Sequence, residues 1–247
     1  MQPVAIITGA GSGIGKACAY VLATRGDAVV CADLDGEAAT RTAASISTDG
    51  GTAVSFELDV SDADACVRMA ASAIAQLGAV DVLVCAAGIE RGGPAHELDL
   101  ADYRATMAVN VDGSFFAARA VARHMIAAGS GGRIVLVGSI NSQIALRGQA
   151  AYCASKGAVL MLGRALAVDW AEFGITVNVV GPGVTDTPMS SASLGDPARR
   201  EMLMGRIPMG RPARPDDIAG AVAFLTSPTT SYVTGAYLPV DGGWLAG

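Results

Sequence analysis

Val4-Ala5-Ile6-Ile7-Thr8-Gly9-Ala10-Gly11-Ser12-Gly13-Ile14-Gly15 decides how the rest of the chain is read. Four apolar residues predict a buried strand. The glycines then turn the chain into Ile14–Arg25, where Ile14, Cys18, Val21 and Leu22 share one helical face. Backbone N–H groups in such a turn, with the helix N-terminus behind them, attract a pyrophosphate. The strict G-x-G-x-x-G spacing is not met, because Ile14 stands at its last glycine. The looser T-G-x-x-x-G-x-G spacing is met by Thr8, Gly9, Gly13 and Gly15. A lone motif of this kind reads equally as a flexible turn; its place between a strand and an amphipathic helix favours a dinucleotide loop.

The same alternation continues downstream. Predicted strands at Ala28–Cys31, Ala53–Leu58, Asp81–Cys85, Arg133–Val137, Ile175–Val180 and Tyr237–Val240 are interleaved with predicted helices at Gly36–Thr48, Ala63–Leu77, Ala101–Ala128 and Ala151–Phe173. Continuous apolar strands suit a parallel sheet covered on both faces. The expected fold is therefore α/β, a Rossmann-type doubly wound parallel sheet, in one domain over residues 1–247. Ligands bind such sheets beyond the carboxyl ends of the strands, so functional residues are sought there.

Composition narrows the function classes. Of 247 residues, 51% are apolar and 16% charged, against roughly 25% charged in an average globular chain. A thick buried sheet and surface covered by sister subunits explain the surplus. A net charge of −6 argues against nucleic acid and anionic membrane as partners. No stretch approaches the ~18 uncharged apolar residues of a membrane span. The run from Met1 to Ile7 enters the glycine loop directly, as expected of a first strand and not of a targeting segment. Five scattered cysteines read as reduced thiols in a cytoplasmic protein, and His96 and His124 stand apart from any partner, so no metal site is expected.

Asp33 follows the second strand, eighteen residues after Gly15. A carboxylate there accepts hydrogen bonds from the adenosine ribose hydroxyls. Capping of the next helix is the alternative role, but Asp35 is better placed for it. A 2′-phosphate would need a cation, which neither Ser12 nor Leu34 supplies, so NAD is favoured over NADP.

Ser139 ends a predicted strand, and Tyr152 and Lys156 form a Y-x-x-x-K pair on one face of the long helix after it. A free phenol has a pKa of about 10, too high for an efficient base near neutrality. A neighbouring ammonium stabilises phenolate, and Lys156 is expected to lower Tyr152 in this way. Ser139 can hold a substrate oxygen beside Tyr152. Each residue alone reads as ordinary surface or turn; together they stand in order along one sheet.

In these residues the chain resembles the short-chain dehydrogenase/reductase family in its single-domain form, from Thr8 to Gly243. The resemblance implies a catalytic set of Ser139, Tyr152, Lys156 and Asn110, the last through a backbone carbonyl that holds a water of a proton relay. It implies cofactor contacts at Gly9, Ser12, Gly13, Ile14, Gly15, Asp33 and Leu34, at Asp59 and Val60 beside the adenine, and at Ala86, Ala87 and Gly88. Tyr152 and Lys156 would meet the nicotinamide ribose side, with Pro182, Gly183, Thr185 and Thr187 at the carboxamide. Two departures stand out. The family's N-N-A-G stretch is here Cys85-Ala86-Ala87-Gly88, so the amide that braces the central strand is missing and support must come from elsewhere. Thr185 replaces the usual Ile or Val, with little effect expected if its contact is through the main chain. Related enzymes pair the helices corresponding to 101–128 and 151–173 across a homotetramer, and Ala154, Ala158 and Ala165 would allow close approach, unless they face the protein's own sheet.

The polar, methionine-bearing stretch at 188–207 is expected to be a substrate lid, with a surface helix as the alternative. Candidate pocket residues are Ser139, Asn141, Gln143, Gln149, Tyr152, Glu90, Val184 and Met189. Their mixed polarity suits a small secondary alcohol, such as a polyol, sugar or cyclic alcohol, and its ketone. The competing reading is a 3-oxoacyl-[acyl-carrier-protein] reductase-like carbonyl reductase. Those enzymes use NADPH and dock their acidic carrier on arginines, where this chain has Ser130 and Phe173. A non-enzymatic NAD-binding protein on this fold would be expected to have lost one of the three catalytic side chains.

Overall fold

A computed structural model describes residues 2–247, so Met1 lies outside the described residues. Seven parallel strands form one sheet in the order β3-β2-β1-β4-β5-β6-β7. They are β1 (Val4–Thr8), β2 (Ala28–Asp33), β3 (Ala53–Glu57), β4 (Val82–Cys85), β5 (Gly132–Val137), β6 (Ile175–Pro182) and β7 (Tyr237–Val240). The strand order reverses between β1 and β4, which opens a crevice at their carboxyl ends.

The helices are α1 (Gly13–Arg25), α2 (Gly36–Thr48), α3 (Ala63–Leu77), α4 (Leu100–Met107), α5 (Gly113–Ala128), α6 (Ala150–Trp170), α7 (Ser191–Gly195), α8 (Pro197–Met204) and α9 (Pro215–Leu225). Period-2 alternation assigns each strand's side chains to two apolar layers. Ile6, Leu83, Ile134 and Leu136 pack with residues of α3, α5 and α6 on one face. Ile7, Val84, Val135 and Val180 pack with α1, α2 and α9 on the other. Burying one such Ile or Leu contributes roughly 1.5–3 kcal/mol, which is why the central strands β1 and β4 read as apolar runs.

Three features differ from the sequence expectations. The predicted helix at 101–128 is divided by a π-helical turn, Ala108–Asp112, between α4 and α5. Helix α9 was not anticipated, although Pro215 at its first position and Asp216 and Asp217 in its first turn are helix-start signals. The span 150–173 is long and apolar enough to cross a membrane by length and composition, contrary to the expectation that no stretch comes close. Here it packs against the sheet, with Val159, Leu160 and Leu166 in the core.

Stretch 188–207 forms a 3-10 turn, α7 and α8. Leu203 and Ile207 anchor it against Ile140 and Trp244, while Met189 and Met202 stay exposed. On α6, Ala154 and Ala165 are exposed and do not face the protein's own sheet; Ala158 is half-buried.

Candidate active site

The glycine loop is shaped by close approaches that a side chain would forbid. A Cβ at Gly9, whose φ is +70°, would lie 2.8 Å from Ala87 N, and one at Gly15 would lie 2.1 Å from Gly9 O. Thr8 Oγ1 accepts from the main-chain N–H groups of both Ala86 and Ala87 at 3.2 Å. This hydroxyl ties β1 to the segment after β4, a tie that the missing amide at position 86 had left in question. Ser12 makes no side-chain cap on α1, so the first-turn N–H groups remain open to an anion.

Asp33 ends β2 and closes the loop from outside. Its Oδ2 accepts from Gly11 N–H at 2.8 Å and its Oδ1 from Asp35 N–H at 2.9 Å. Asp35 caps α2 through Ala38 N–H, so capping is not the role of Asp33. Gly9, Ser12, Gly13, Ile14, Gly15, Asp33, Leu34, Asp59, Val60, Ala86, Ala87, Gly88 and Thr187 line one elongated cleft. Among the described residues its charged lining is Asp33 and Asp59. Arg41, on α2, is absent from this lining and lies near Asp35 and Glu37 instead.

A second cavity adjoins the cleft and shares Ile14, Ala86, Thr187 and Met189 with it. It brings together Ser139, Asn141, Gln149, Tyr152, Lys156, Glu90, Pro182, Gly183, Val184 and Thr185. Gln143 does not belong to it. The 3-10 turn Ile140–Ser142, closed by Gln143 N–H on Ile140 O, points Asn141 inward and leaves Gln143 exposed. Ser193, Arg199 and Leu203 from the 188–207 stretch also line the cavity, and sequence reading had named none of them.

Several contacts fix Ser139, whose carbonyl accepts from Ser142 N–H at 2.9 Å. Its Oγ accepts from Asn141 N–H at 3.1 Å, and Tyr237 of β7 donates its hydroxyl to Ser139 O at 2.8 Å. Ser142 Oγ accepts from Ser139 N–H and donates to Lys156 O at 2.8 Å, which ties the serine turn to α6. Asn110, buried in the π turn, holds Ile89 through its side-chain amide on both N–H and C=O, at 2.8 and 2.9 Å. The same amide donates to Ser155 Oγ at 3.0 Å. Its main-chain carbonyl accepts from Ser114 Oγ at 2.7 Å. Thr185 is buried with its hydroxyl donating to Gly183 O, so the polar residue is satisfied locally.

The electrostatics correct one expectation. Burial raises the Tyr152 phenol above its ordinary value; the Ser139 hydroxyl opposes this, and the charge of Glu90 adds to it. Lys156 does not bring the phenol down. Its Nζ donates to Val137 O at 2.8 Å, 5.6 Å from the Tyr152 ring centroid, and burial lowers the ammonium itself to about 8. Desolvation is the largest influence on both groups in this arrangement. Burial also pushes the Cys18 and Cys31 thiols up to about 12, which leaves them inert as nucleophiles.

A family profile described as enoyl-(acyl carrier protein) reductase matches residues 9–245. The galactitol 2-dehydrogenase (L-tagatose-forming) of Cereibacter sphaeroides is 45% identical over 97% of this chain and 94% of its own. The D-threitol dehydrogenase of Mycolicibacterium smegmatis is 42% identical over 98% and 92%. Among solved structures, a gluconate 5-dehydrogenase from Burkholderia cenocepacia, in complex with NADP and tartrate, superposes with a TM-score of 0.96. It is 38% identical and covers 100% of this chain and 97% of its own.

Proposed function

The chain belongs to the short-chain dehydrogenase/reductase family, and from that premise we propose that it interconverts a secondary alcohol and its ketone with NAD as cofactor. The observation that carries this reading is the meeting of Ser139, Tyr152 and Lys156 in a cavity that opens onto the nucleotide cleft. A nicotinamide dinucleotide, when bound, supplies the two-electron acceptor or donor for hydride. Ser139 holds the substrate oxygen, and Tyr152 takes the carbinol proton in oxidation or returns it in reduction. With its phenol held protonated by burial, Tyr152 is ready as it stands to serve ketone reduction. Alcohol oxidation draws on the deprotonated fraction and quickens as pH rises. Lys156 and Asn110 brace this pair from α6 and the π turn.

The preference for NAD is supported by the carboxylates Asp33 and Asp59, the charged residues lining the cleft among the described residues. The Burkholderia relative carries NADP, so the preference is a property to be measured on this chain. Relatives named for D-threitol, galactitol, L-rhamnose and cis-4-hydroxycyclohexanecarboxylate support polyols, sugars and cyclic alcohols as the substrate class. The proposal extends to a single catalytic domain with its lid at 188–207, acting in the cytoplasm as a homotetramer. Exposed Phe115 on α5 and Met161 and Val168 on α6 support self-association across these helices.

Absorbance at the reduced-nicotinamide band tests the reading, with NAD and NADP in parallel against secondary alcohols, polyols and cyclic alcohols. Turnover with NAD supports it. Reduction of acetoacetyl thioesters by NADPH alone overturns it in favour of an acyl-carrier reductase.

A further inference from the structure

We propose that Glu90, Gln149 and Asn141 form an acceptor-rich edge that reads a hydroxyl beyond the reacting carbinol, so that the substrate is an uncharged polyol or cyclic diol. The inference rests on the secondary-alcohol reading and adds what the rest of the substrate must look like. Glu90 comes from the loop after β4, Asn141 from the turn after β5, and Gln149 from the start of α6. Their side chains form one hydrogen-bonded row. Gln149 Nε2 donates to Glu90 Oε1, and Asn141 Nδ2 donates to Gln149 Oε1 and to Cys153 Sγ, the last at 3.3 Å.

The direction of that row follows from Glu90. An ionised carboxylate only accepts, so it draws the Gln149 N–H groups toward itself. Gln149 Oε1 must then face Asn141, and Asn141 spends its N–H groups on Gln149 and Cys153. Asn141 Oδ1, to which no group donates among the described residues, is left as an acceptor. Glu90 Oε2 and one Gln149 N–H also remain uncommitted. Asn141 and Gln149 are both buried, so these groups are held in place by the fold and not by solvent.

This wall fits a hydroxyl, which donates and accepts at once. It can donate to Glu90 or Asn141 while accepting from Gln149. A carboxylate or phosphate brings no proton for these acceptors and meets the charge of Glu90. Arg199 of α8 and Lys156 line the same cavity, but the row itself carries the Glu90 carboxylate and amides with no cation among them. An acyl thioester, with carbonyls and no hydroxyl donors, would leave the acceptors unpaired, which costs binding.

The test compares wild type with Glu90→Gln, whose amide lets the row reverse. Substrates are threitol, xylitol, galactitol and 1,2-cyclohexanediol, with gluconate as the acid and 2-butanol as the alcohol lacking a second hydroxyl. Expected for wild type is a preference for the polyols or the diol over gluconate. In the variant, kcat/KM for the preferred polyol relative to 2-butanol should fall about tenfold or more, chiefly through KM. A thermal-shift titration of the same polyols on the NADH complex needs no turnover. There wild type should be stabilised and E90Q markedly less so. An unchanged ratio and equal thermal shifts in the two proteins, or a wild-type preference for gluconate, would overturn the proposal. If polyols shift wild type selectively and no alcohol is oxidised, the redox reading fails and the recognition stands. If 2-butanol is oxidised and no polyol binds, the recognition fails and the redox reading stands.

Discussion

Tyr237 and Gly181 form a pair whose disruption should reach the active site from the far edge of the sheet. The Tyr237 hydroxyl donates to Ser139 O at 2.8 Å, and its ring lies over Gly181 of β6. A Cβ at Gly181 would lie 2.2 Å from the Tyr237 hydroxyl oxygen and 2.3 Å from the ring carbon bearing it. Tyr237→Phe removes one of the two hydrogen bonds that Ser139 O accepts and leaves the one from Ser142 N–H, a net loss of about 1 kcal/mol. If that bond holds Ser139 in its working position, the same energy appears as about a fivefold lower kcat, with the KM for cofactor unchanged. Gly181→Ala forces the ring aside and should cost about 1–3 kcal/mol, lowering Tm by roughly 2–4 °C per kcal/mol, with a similar loss of kcat. In a Tyr237→Val background the clash is gone, and adding Gly181→Ala should then be nearly neutral in both Tm and kcat. Thermal melts and steady-state kinetics on the four proteins read out this coupling. Wild-type kcat in Y237F would refute the positioning role. Equal damage from G181A in both backgrounds would refute the steric account.

Tyr152→Phe should abolish turnover while NAD binding, followed by fluorescence titration, persists; near-normal kcat would remove the phenol from the chemistry. Asp33→Ala should weaken NAD and shift the NADP-to-NAD ratio of kcat/KM about tenfold or more toward NADP, and an unchanged ratio would refute its discriminating role. Asp33→Asn keeps an acceptor for Gly11 and isolates the charge. Lys156 has a folded-state pKa of about 8, below its ordinary value of 10.5, so its burial penalty is fully present below pH 8 and relieved as pH rises toward 10.5. The Tm of Lys156→Met relative to wild type should therefore fall between pH 7 and pH 9.5 on that account, and a constant difference would contradict it.

The positions of the strands along the chain and the glycine loop were legible because both are written locally. Apolar runs of strand length, helical periodicity in the segments between them and turn-forming glycines depend on near neighbours in the chain. The positions just past β1, β2 and β5 followed from the rule that parallel sheets bind ligands at their carboxyl ends. Asp33 and Ser139 were found in this way, and Tyr152 and Lys156 by their helical spacing. Helix α9 carried equally local signals in Pro215 and the apolar spacing of Ile218, Ala219, Val222 and Leu225. Other features depended on contacts across the fold. The π turn at 108–112 is a shift of hydrogen-bond register that leaves apolar spacing almost untouched. Tyr237 meets Ser139 across 98 positions of sequence, Arg199 reaches the cavity from a helix anchored by Leu203 and Ile207, and Thr8 supplies the tie expected of an amide at position 86. The direction of the Tyr152 shift was misjudged for the same reason. Spacing showed that Lys156 is near, but desolvation is a property of everything packed around both groups, and only the folded chain defines it.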